Sequence, residues 1–350
     1  MRLGLNLGYW ANADQAKRNL ALVQEAERLG FSVAWAAEAY GSDNPTTLAW
    51  LAAQTSTIEL GSAIMQIPAR QPAMTAMTAA TLDTLSEGRF RLGLGVSGPQ
   101  VSEGWYGVAF DKPLARTREY IDVVRKVLSR KTVEHSGPTY QLPLPGGPGK
   151  ALKLSLHPYR TDIPIYLASI GPKNLELTGE LADGWLAIFL EPESAHEHLD
   201  LIAKGRAKVG KTMEGFDVAP SVPLVIGPDP EVCAELVRGY ASLYIGGMGS
   251  KEQNFYNRLA TRMGYGEAAD EIQDHFLNKR YREAMAAVPY EFVDRTSLLG
   301  PVERVAERLT AYAAAGVTTL SVSVFDSDIE DGVATLRGLA DAMERSGVGE

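Results

Sequence analysis

Short apolar runs recur along the chain at 3–7, 33–37, 58–64, 90–94, 165–168, 184–189, 217–226 and 319–324. Each is continuous rather than alternating, the pattern of parallel strands covered on both faces. Between the runs the apolar spacing changes to three and four. Ala16, Leu20, Val23 and Ala26 form one helical stripe before Gly30, and Val302, Val305, Leu309 and Tyr312 form another before Gly316. Eight strands with intervening helices in a chain of 350 residues predict an α/β fold of the (β/α)8 TIM-barrel type. A doubly wound open sheet is the alternative, and the strand count favours the barrel. Two stretches exceed a minimal barrel: 131–164, rich in proline and glycine, reads as an extended insertion with a hairpin, and 246–299 reads as a polar, helix-rich one. The expectation is a single barrel domain over 1–350 carrying these two insertions.

Composition narrows the function. Apolar residues make up 45% of the chain, enough for a full core, and the net charge of −9 argues against nucleic acid and anionic membrane surfaces. The one cysteine, Cys233, lies in a helical pattern, so no intramolecular disulfide is available and a reducing cytoplasm is the expected compartment. The chain opens directly on a strand pattern, with no charged segment leading into an apolar one, so no signal peptide is expected. No apolar run approaches the ~20 residues that span a bilayer.

The stretch 166–185 carries the most chemistry. A strand ends at Ala168, and Ser169-Ile170-Gly171-Pro172-Lys173 leads into a helix that stops at Ala182-Asp183-Gly184-Trp185. Pro172 suits the first helical position, where its missing N–H would have had no partner. A strand, a small-residue turn and a helix N-terminus form a ready phosphate site, since the free N–H groups and the helix dipole favour an anion. The bland alternative is an ordinary strand-to-helix turn.

Read in order, A-S-I-G-P-K-N-L, then A-D-G-W, and upstream L-S-E-G-R-F at 85–90 followed by L-G-L-G resemble the luciferase-like oxidoreductases that use the deazaflavin coenzyme F420. The branch closest in wording includes methylenetetrahydromethanopterin reductase. The resemblance covers nearly the whole chain, from R-L-G-L-N-L-G at the start to G-P-V-E-R-V-A-E-R-L near the end. It implies F420 with its ring across the strand C-termini and its phosphate on Ala168–Lys173, namely Ala168, Ser169, Ile170, Gly171, Pro172 and Lys173. It implies a bulge after the third strand at Ala63, Ile64 and Met65, with a non-prolyl cis peptide at Ala63–Ile64 or its neighbour, propping the ring from behind. It also places Ser97 and Gly98 beside the cofactor. Relatives pair through helices early in the barrel, so the Ala- and Met-rich helix 72–85 is the expected homodimer face.

Several other motifs point elsewhere or nowhere. Gly93-x-Gly95-x-x-Gly98 matches the dinucleotide fingerprint, but Pro99, Gly104 and Gly107 follow it where a helix should open, so it is read as a false match. Its glycines suggest close approach of a flat ring, or of a neighbouring strand at Gly93. His196 and His198 are two apart, a spacing that points to different helix faces, so a solvated face is expected and no metal. Gly95-Val96-Ser97-Gly98 is not a nucleophile elbow. Tyr9, Trp10, Tyr40, Trp105 and Tyr106 follow strand ends and either line a substrate pocket or close the barrel top.

Glu38 is the one carboxylate in the apolar run at the end of the second strand. A group there faces the pocket and can pass a proton; the alternative is a structural glutamate held by an arginine or the backbone. The glucose-6-phosphate dehydrogenase branch has Asp-His where this chain has Glu38-Ala39, and Glu where it has Gly98-Pro99, so sugar-phosphate oxidation is not expected. The expected activity is hydride transfer between F420 and a small organic substrate, with Glu38 or a tyrosine as proton donor. An FMN-dependent monooxygenase of the same superfamily is the enzyme alternative, and an F420-binding barrel without turnover is the non-enzyme one.

Overall fold

The computed structural model describes residues 1–350. Eight strands form the barrel: β1 (Arg2–Asn6), β2 (Val33–Ala36), β3 (Glu59–Ser62), β4 (Phe90–Gly95), β5 (Ile165–Ala168), β6 (Gly184–Ile188), β7 (Asp217–Ile226) and β8 (Thr319–Val324). They pair in parallel in the ring order β8–β1–β2–β3–β4–β5–β6–β7, and β7 pairs with β8 to close it. Closure removes both sheet edges, which rules out the doubly wound alternative. The surrounding helices are α1 (Ala13–Arg28), α2 (Asn44–Ala52), α3 (Pro72–Leu85), α4 (Pro113–Leu128), α5 (Pro172–Leu181), α6 (Ala195–Lys208), α7 (Pro230–Ser242), α8 (Val302–Ala314) and α9 (Ile329–Ser346). Apart from α7, whose buried residues join a second cluster, their apolar stripes meet the outer barrel face in one cluster of 57 buried residues. Asn12 starts α1 by accepting from the N–H groups of Asp14 (3.1 Å) and Gln15 (3.0 Å), as an N-cap should.

The third apolar run is not one continuous strand. β3 stops at Ser62, the Ala63–Ile64 peptide is cis, and Met65–Gln66 resumes pairing with β4. Gly61 pairs with Arg91 and Met65 with Leu94, so this strand holds one more residue than its neighbour between the two pairs, which is a β-bulge. Gly93 is part of the same device. A Cβ there would run into the Ser62 carbonyl, while Ser62 Oγ accepts from Gly93 N (2.8 Å) and donates to Gly93 O (2.8 Å). The neighbouring strand, not a ring, therefore requires the glycine at 93.

The L-S-E-G-R-F stretch is a latch. Glu87 and Gly88 adopt positive φ to turn the chain out of α3. Arg89 then donates to the carbonyls of Ser86 (2.9 Å), Ile58 (2.7 Å), Ala52 (3.2 Å) and Thr55 (3.1 Å), tying the α3–β4 connection to the α2–β3 connection.

In the 131–164 stretch, His135–Ser136 and Gln141–Leu142 form a small antiparallel hairpin. The 246–299 stretch holds four α-helices, Phe255–Ala260, Gly266–Leu277, Tyr281–Ala286 and Tyr290–Arg295, over a second cluster of 16 buried residues. Its end differs from expectation. Leu298–Gly300 is a further strand, parallel to the C-terminal part of β7, too short for periodicity to reveal.

The lower barrel interior is polar. Arg91 donates to Tyr166 Oη (2.9 Å) and Asp217 Oδ2 (2.9 Å) and pairs with Glu59, while Thr318 and Thr319 donate to Asp217 Oδ1 at 2.5 and 2.8 Å. Burial alone would raise the Asp217 carboxyl, but the Thr318 hydrogen bond and the charges of Arg91 and Arg2 hold it below the ordinary carboxylate range. Asp217→Asn is expected to cost about 3 kcal/mol, the cost of stripping one partner from a buried pair. A group depressed in the folded state stabilises above its unfolded pKa of ~3.9 and loses that contribution as pH falls through the folded value. Urea midpoints of wild type and variant should thus converge as the pH is lowered from about 5. A gap constant down to pH ~3 would count against Asp217 as its source.

Candidate active site

A cavity of about 750 Å³ opens at the C-terminal ends of the strands, where barrel enzymes carry their chemistry. A hollow of about 580 Å³ at the opposite end is lined by the N-terminal residues of β1, β5 and β7. It lies over the Asp217 network, whose groups already satisfy one another.

One wall of the upper cavity is the β5–α5 turn. Ala168, Ser169, Ile170, Gly171, Pro172 and Lys173 all line it. Ser169 is held from behind, for its Oγ pairs with Thr178 Oγ1 (2.8 Å) and its carbonyl accepts from Trp185 Nε1 (2.9 Å). Asp183 Oδ2 accepts from Ile165 N (2.9 Å), and a Cβ at Gly184 would strike the Tyr166 ring. The A-D-G-W stretch thus clamps the turn it follows. Gly171 has an extended conformation open to any residue (φ −81°, ψ 149°), and a Cβ there would meet nothing within 4 Å. The N–H groups of Asn174 and Leu175 turn back to Gly171 O, both at 2.9 Å, leaving the Lys173 N–H without a partner. This is an empty cradle at a helix N-terminus beside an ammonium group, suited to a phosphate.

A second wall is the bulge. Ala63, Ile64 and Gln66 line the cavity, and Ile64 Cδ1 covers Gly95. Met65 does not. It is buried in the outer core against the helices, because the extra residue reverses which side chains face inward. Gln66 donates to Glu38 O (2.8 Å), while its Oε1 is buried with no partner. Ser97, with φ 62°, and Gly98 line the adjoining rim, and only the short helix Pro99–Gly104 follows them, unlike a dinucleotide site. Cradle, bulge and unpaired acceptor together fit a flat ring bearing a phosphorylated tail.

Glu38 also lines the cavity but is 8% exposed, and both its oxygens are engaged. Arg70 donates to Oε2 (2.7 Å) and Oε1 (2.6 Å), and also to Asp43 Oδ1 (2.8 Å). Burial would lower the Arg70 pKa, yet the hydrogen bonds and charge of Glu38 raise it overall. A two-pronged pair of this kind fixes the Glu38 side chain. The geometry therefore matches the arginine-held alternative, with an edge of the pair reaching the cavity.

The third wall is aromatic. Tyr9 and Tyr40 line it, as do Tyr240, Tyr244 and Tyr256, which the sequence reading missed. Their signal was Tyr240 and Tyr244 four apart, in the last turn of α7 and in the π-helical turn Leu243–Gly247 that continues it. Trp10 instead packs edge-on against Trp50 at 5.4 Å, Trp105 points to solvent, and Tyr106 donates to Ala39 O (3.0 Å). His196 is exposed as expected, but His198 is half-buried and stacks on Trp185 at 5.6 Å, so it is part of the packing behind the turn.

Residues 4–319 match the family model described as luciferase-like monooxygenase. The chain belongs to that family. Among its relatives, a protein of Mycobacterium tuberculosis provisionally named a coenzyme F420-dependent oxidoreductase is 45% identical over 330 residues, covering 92% of this chain and 95% of the relative. A 5,10-methylenetetrahydromethanopterin reductase of Archaeoglobus fulgidus is 29% identical over 302 residues, 85% of this chain and 86% of its own. The solved coenzyme F420-dependent tetrahydromethanopterin reductase of Methanopyrus kandleri superposes with a TM-score of 0.81 at 24% identity, covering 96% of this chain and 97% of that one. In this family member the bulge after β3 and the turn after β5 face one cavity. No helix of the chain is long and apolar enough to cross a membrane.

Proposed function

We infer that this luciferase-like chain is a coenzyme F420-dependent oxidoreductase that moves a hydride between the deazaflavin and a small organic substrate. The open Gly171 cradle, with the free Lys173 N–H, carries the reading, since it faces the same cavity as the bulge. The 45% identity to the mycobacterial relative across 92% of the chain supports it. When bound, the coenzyme supplies a two-electron hydride acceptor or donor. The residues do the rest. Lys173 and the α5 N-terminus hold the phosphate, Ala63 and Ile64 back the ring, and Ser97 and Gly98 edge it. Arg262 donates to Ile170 O (3.3 Å), and burial and nearby Arg258 lower its pKa. The Arg262 guanidinium on the phosphate turn suits the anionic lactyl-oligoglutamate tail that distinguishes F420 from FMN.

F420 is expected to bind at least about tenfold tighter than FMN, a gap of ~1.4 kcal/mol. Parallel spectral titrations measure this, and equal or tighter FMN binding would favour the monooxygenase reading. F420 binding without turnover of any substrate would favour the non-enzyme one. The outward face of α3, with Met74, Met77, Thr81 and Leu85 exposed and no charged residue among them, suits a second copy of the chain in a cytoplasmic homodimer. A monomer in sedimentation at micromolar concentration would remove that assignment.

A further inference from the structure

Between β4 and α4 the chain leaves the barrel and returns as a body of its own. Over 97–112 only Ser102 is buried, and its hydroxyl donates within the segment, to Val108 O (2.6 Å). The backbone is bonded inward as well. Ser102 N donates to Gly98 O (2.9 Å), Val108 N to Ser102 O (2.8 Å) and Phe110 N to Glu103 Oε1 (2.9 Å). None of its hydrophobic side chains joins the barrel core or the second buried cluster. Compact loops that pack on themselves, with little hold on the core, are the segments from which moving parts are drawn.

Both ends of the segment turn at a single residue. Ser97 (φ 62°) and Lys112 (φ 43°) hold a left-handed conformation that residues other than glycine seldom adopt. Hinges are of this kind, a few terminal positions that take up the whole change. Between them the fastenings are few. Arg116, in the first turn of α4, donates to Ala109 O (2.9 Å), close to the second hinge. Tyr106 Oη donates to Ala39 O (3.0 Å), just beyond β2. Phe110 meets Phe255 with ring centres 6.2 Å apart. Phe255 belongs to the 246–299 stretch, which lies between β7 and β8, across the eight-strand ring from β4. Gln100, Val101, Phe110 and Phe255 line the cavity, whereas Tyr106 does not.

We propose that residues 97–112 are a lid across the cavity mouth, hinged at Ser97 and Lys112 and latched by Tyr106 on Ala39 and by Phe110 on Phe255. The structure holds the latched state, in which two connections from opposite sides of the ring meet over the cavity. Latched, the segment shields what the cavity binds from water. Breaking one neutral hydrogen bond and one aromatic contact releases it with its internal bonds intact. Both fastenings are weak, which suits a segment that opens and closes repeatedly. The lid is independent of which cofactor the cavity holds.

The test places a reporter thiol behind the lid. Ser323→Cys puts a sulfhydryl on the cavity wall near the end of β8, and Ser221→Cys does so on β7 as an independent repeat. The native Cys233, buried outside the cavity, is the internal control. The probe is Ellman's reagent on cofactor-free protein. Adding Tyr106→Phe is expected to speed labelling at position 323 about fivefold, the effect of one hydrogen bond on the opening equilibrium. Adding Phe110→Ala is expected to speed it about tenfold. Cys233 should react at an unchanged rate throughout, which shows the variants folded. In Tyr106→Phe, hydrogen exchange over 98–110 should keep its protection, because the internal bonds travel with the lid. Labelling unaltered by both changes, or faster only in step with Cys233, would overturn the proposal. So would loss of protection over 98–110, since the segment would then unfold rather than swing.

Discussion

Gly171→Val is expected to weaken F420 binding by about a hundredfold while leaving the protein as stable as wild type. The two halves come from different features of one residue. The backbone conformation, φ −81° and ψ 149°, lies where valine is at ease, and a Cβ there meets no atom within 4 Å. The fold therefore has no use for glycine at this position. The valine would fill open space at the α5 N-terminus, two residues from the Lys173 N–H that has no partner. Charge-assisted hydrogen bonds to a phosphate contribute about 1.5–3 kcal/mol each, so displacing the phosphate from two of them costs ~3 kcal/mol, near a hundredfold in Kd. Fluorescence titration with F420 and a urea melt decide it together. Unchanged affinity would put the phosphate elsewhere, and a large loss of stability would mean the glycine serves the fold after all.

The contrast with Gly93 shows what a sequence can and cannot tell about a glycine. Both were candidates for cofactor approach, and both follow or end a barrel strand. Gly93 is forced by the Ser62 carbonyl of the neighbouring strand, while Gly171 is left free. Nothing in the local wording separates them, because the deciding atom lies on a segment about thirty residues away or is missing altogether.

The barrel itself was legible because its strands are short, apolar and well separated. The runs at 217–226 and 319–324 coincide with Asp217–Ile226 and Thr319–Val324. The run at 58–64 misled, since periodicity cannot register an extra residue in an unbroken apolar segment. That extra residue also explains Met65. Counting alternate positions from β3 onward puts the wrong side chains in the cavity once the bulge has shifted the parity. Only the family resemblance pointed to the bulge and to the cis peptide at Ala63–Ile64. The tyrosines were hidden for another reason. Tyr244 and Tyr256 reach the cavity from the end of α7 and from the 246–299 stretch, and no local pattern says which barrel mouth a long connection folds over. Arg70 was equally silent as the partner of Glu38, because the pair spans β2 and the segment after the bulge.

That pair decides what Glu38 does. Glu38→Gln is expected to lower stability by about 3 kcal/mol and to leave turnover per folded, cofactor-loaded molecule within about twofold of wild type. The amide keeps the shape but carries no charge, and it can accept from the Arg70 fork through only one oxygen. Arg70 would be left buried with Asp43 as its remaining counter-ion, at 2.8 Å and half-exposed. Breaking a buried pair costs about 3–5 kcal/mol, and the surviving Asp43 contact puts this case at the lower end. A catalytic role would give a different signature. A carboxylate passing a proton in the rate-limiting step would cost about a hundredfold or more in kcat when amidated, and would remove one limb of the pH–rate profile. The observed geometry argues against that, because both oxygens already receive N–H donors and the side chain cannot approach a substrate without abandoning Arg70. A Glu38→Gln protein with wild-type melting behaviour and a hundredfold loss of kcat would return the proton to Glu38 and reduce Arg70 to a spectator.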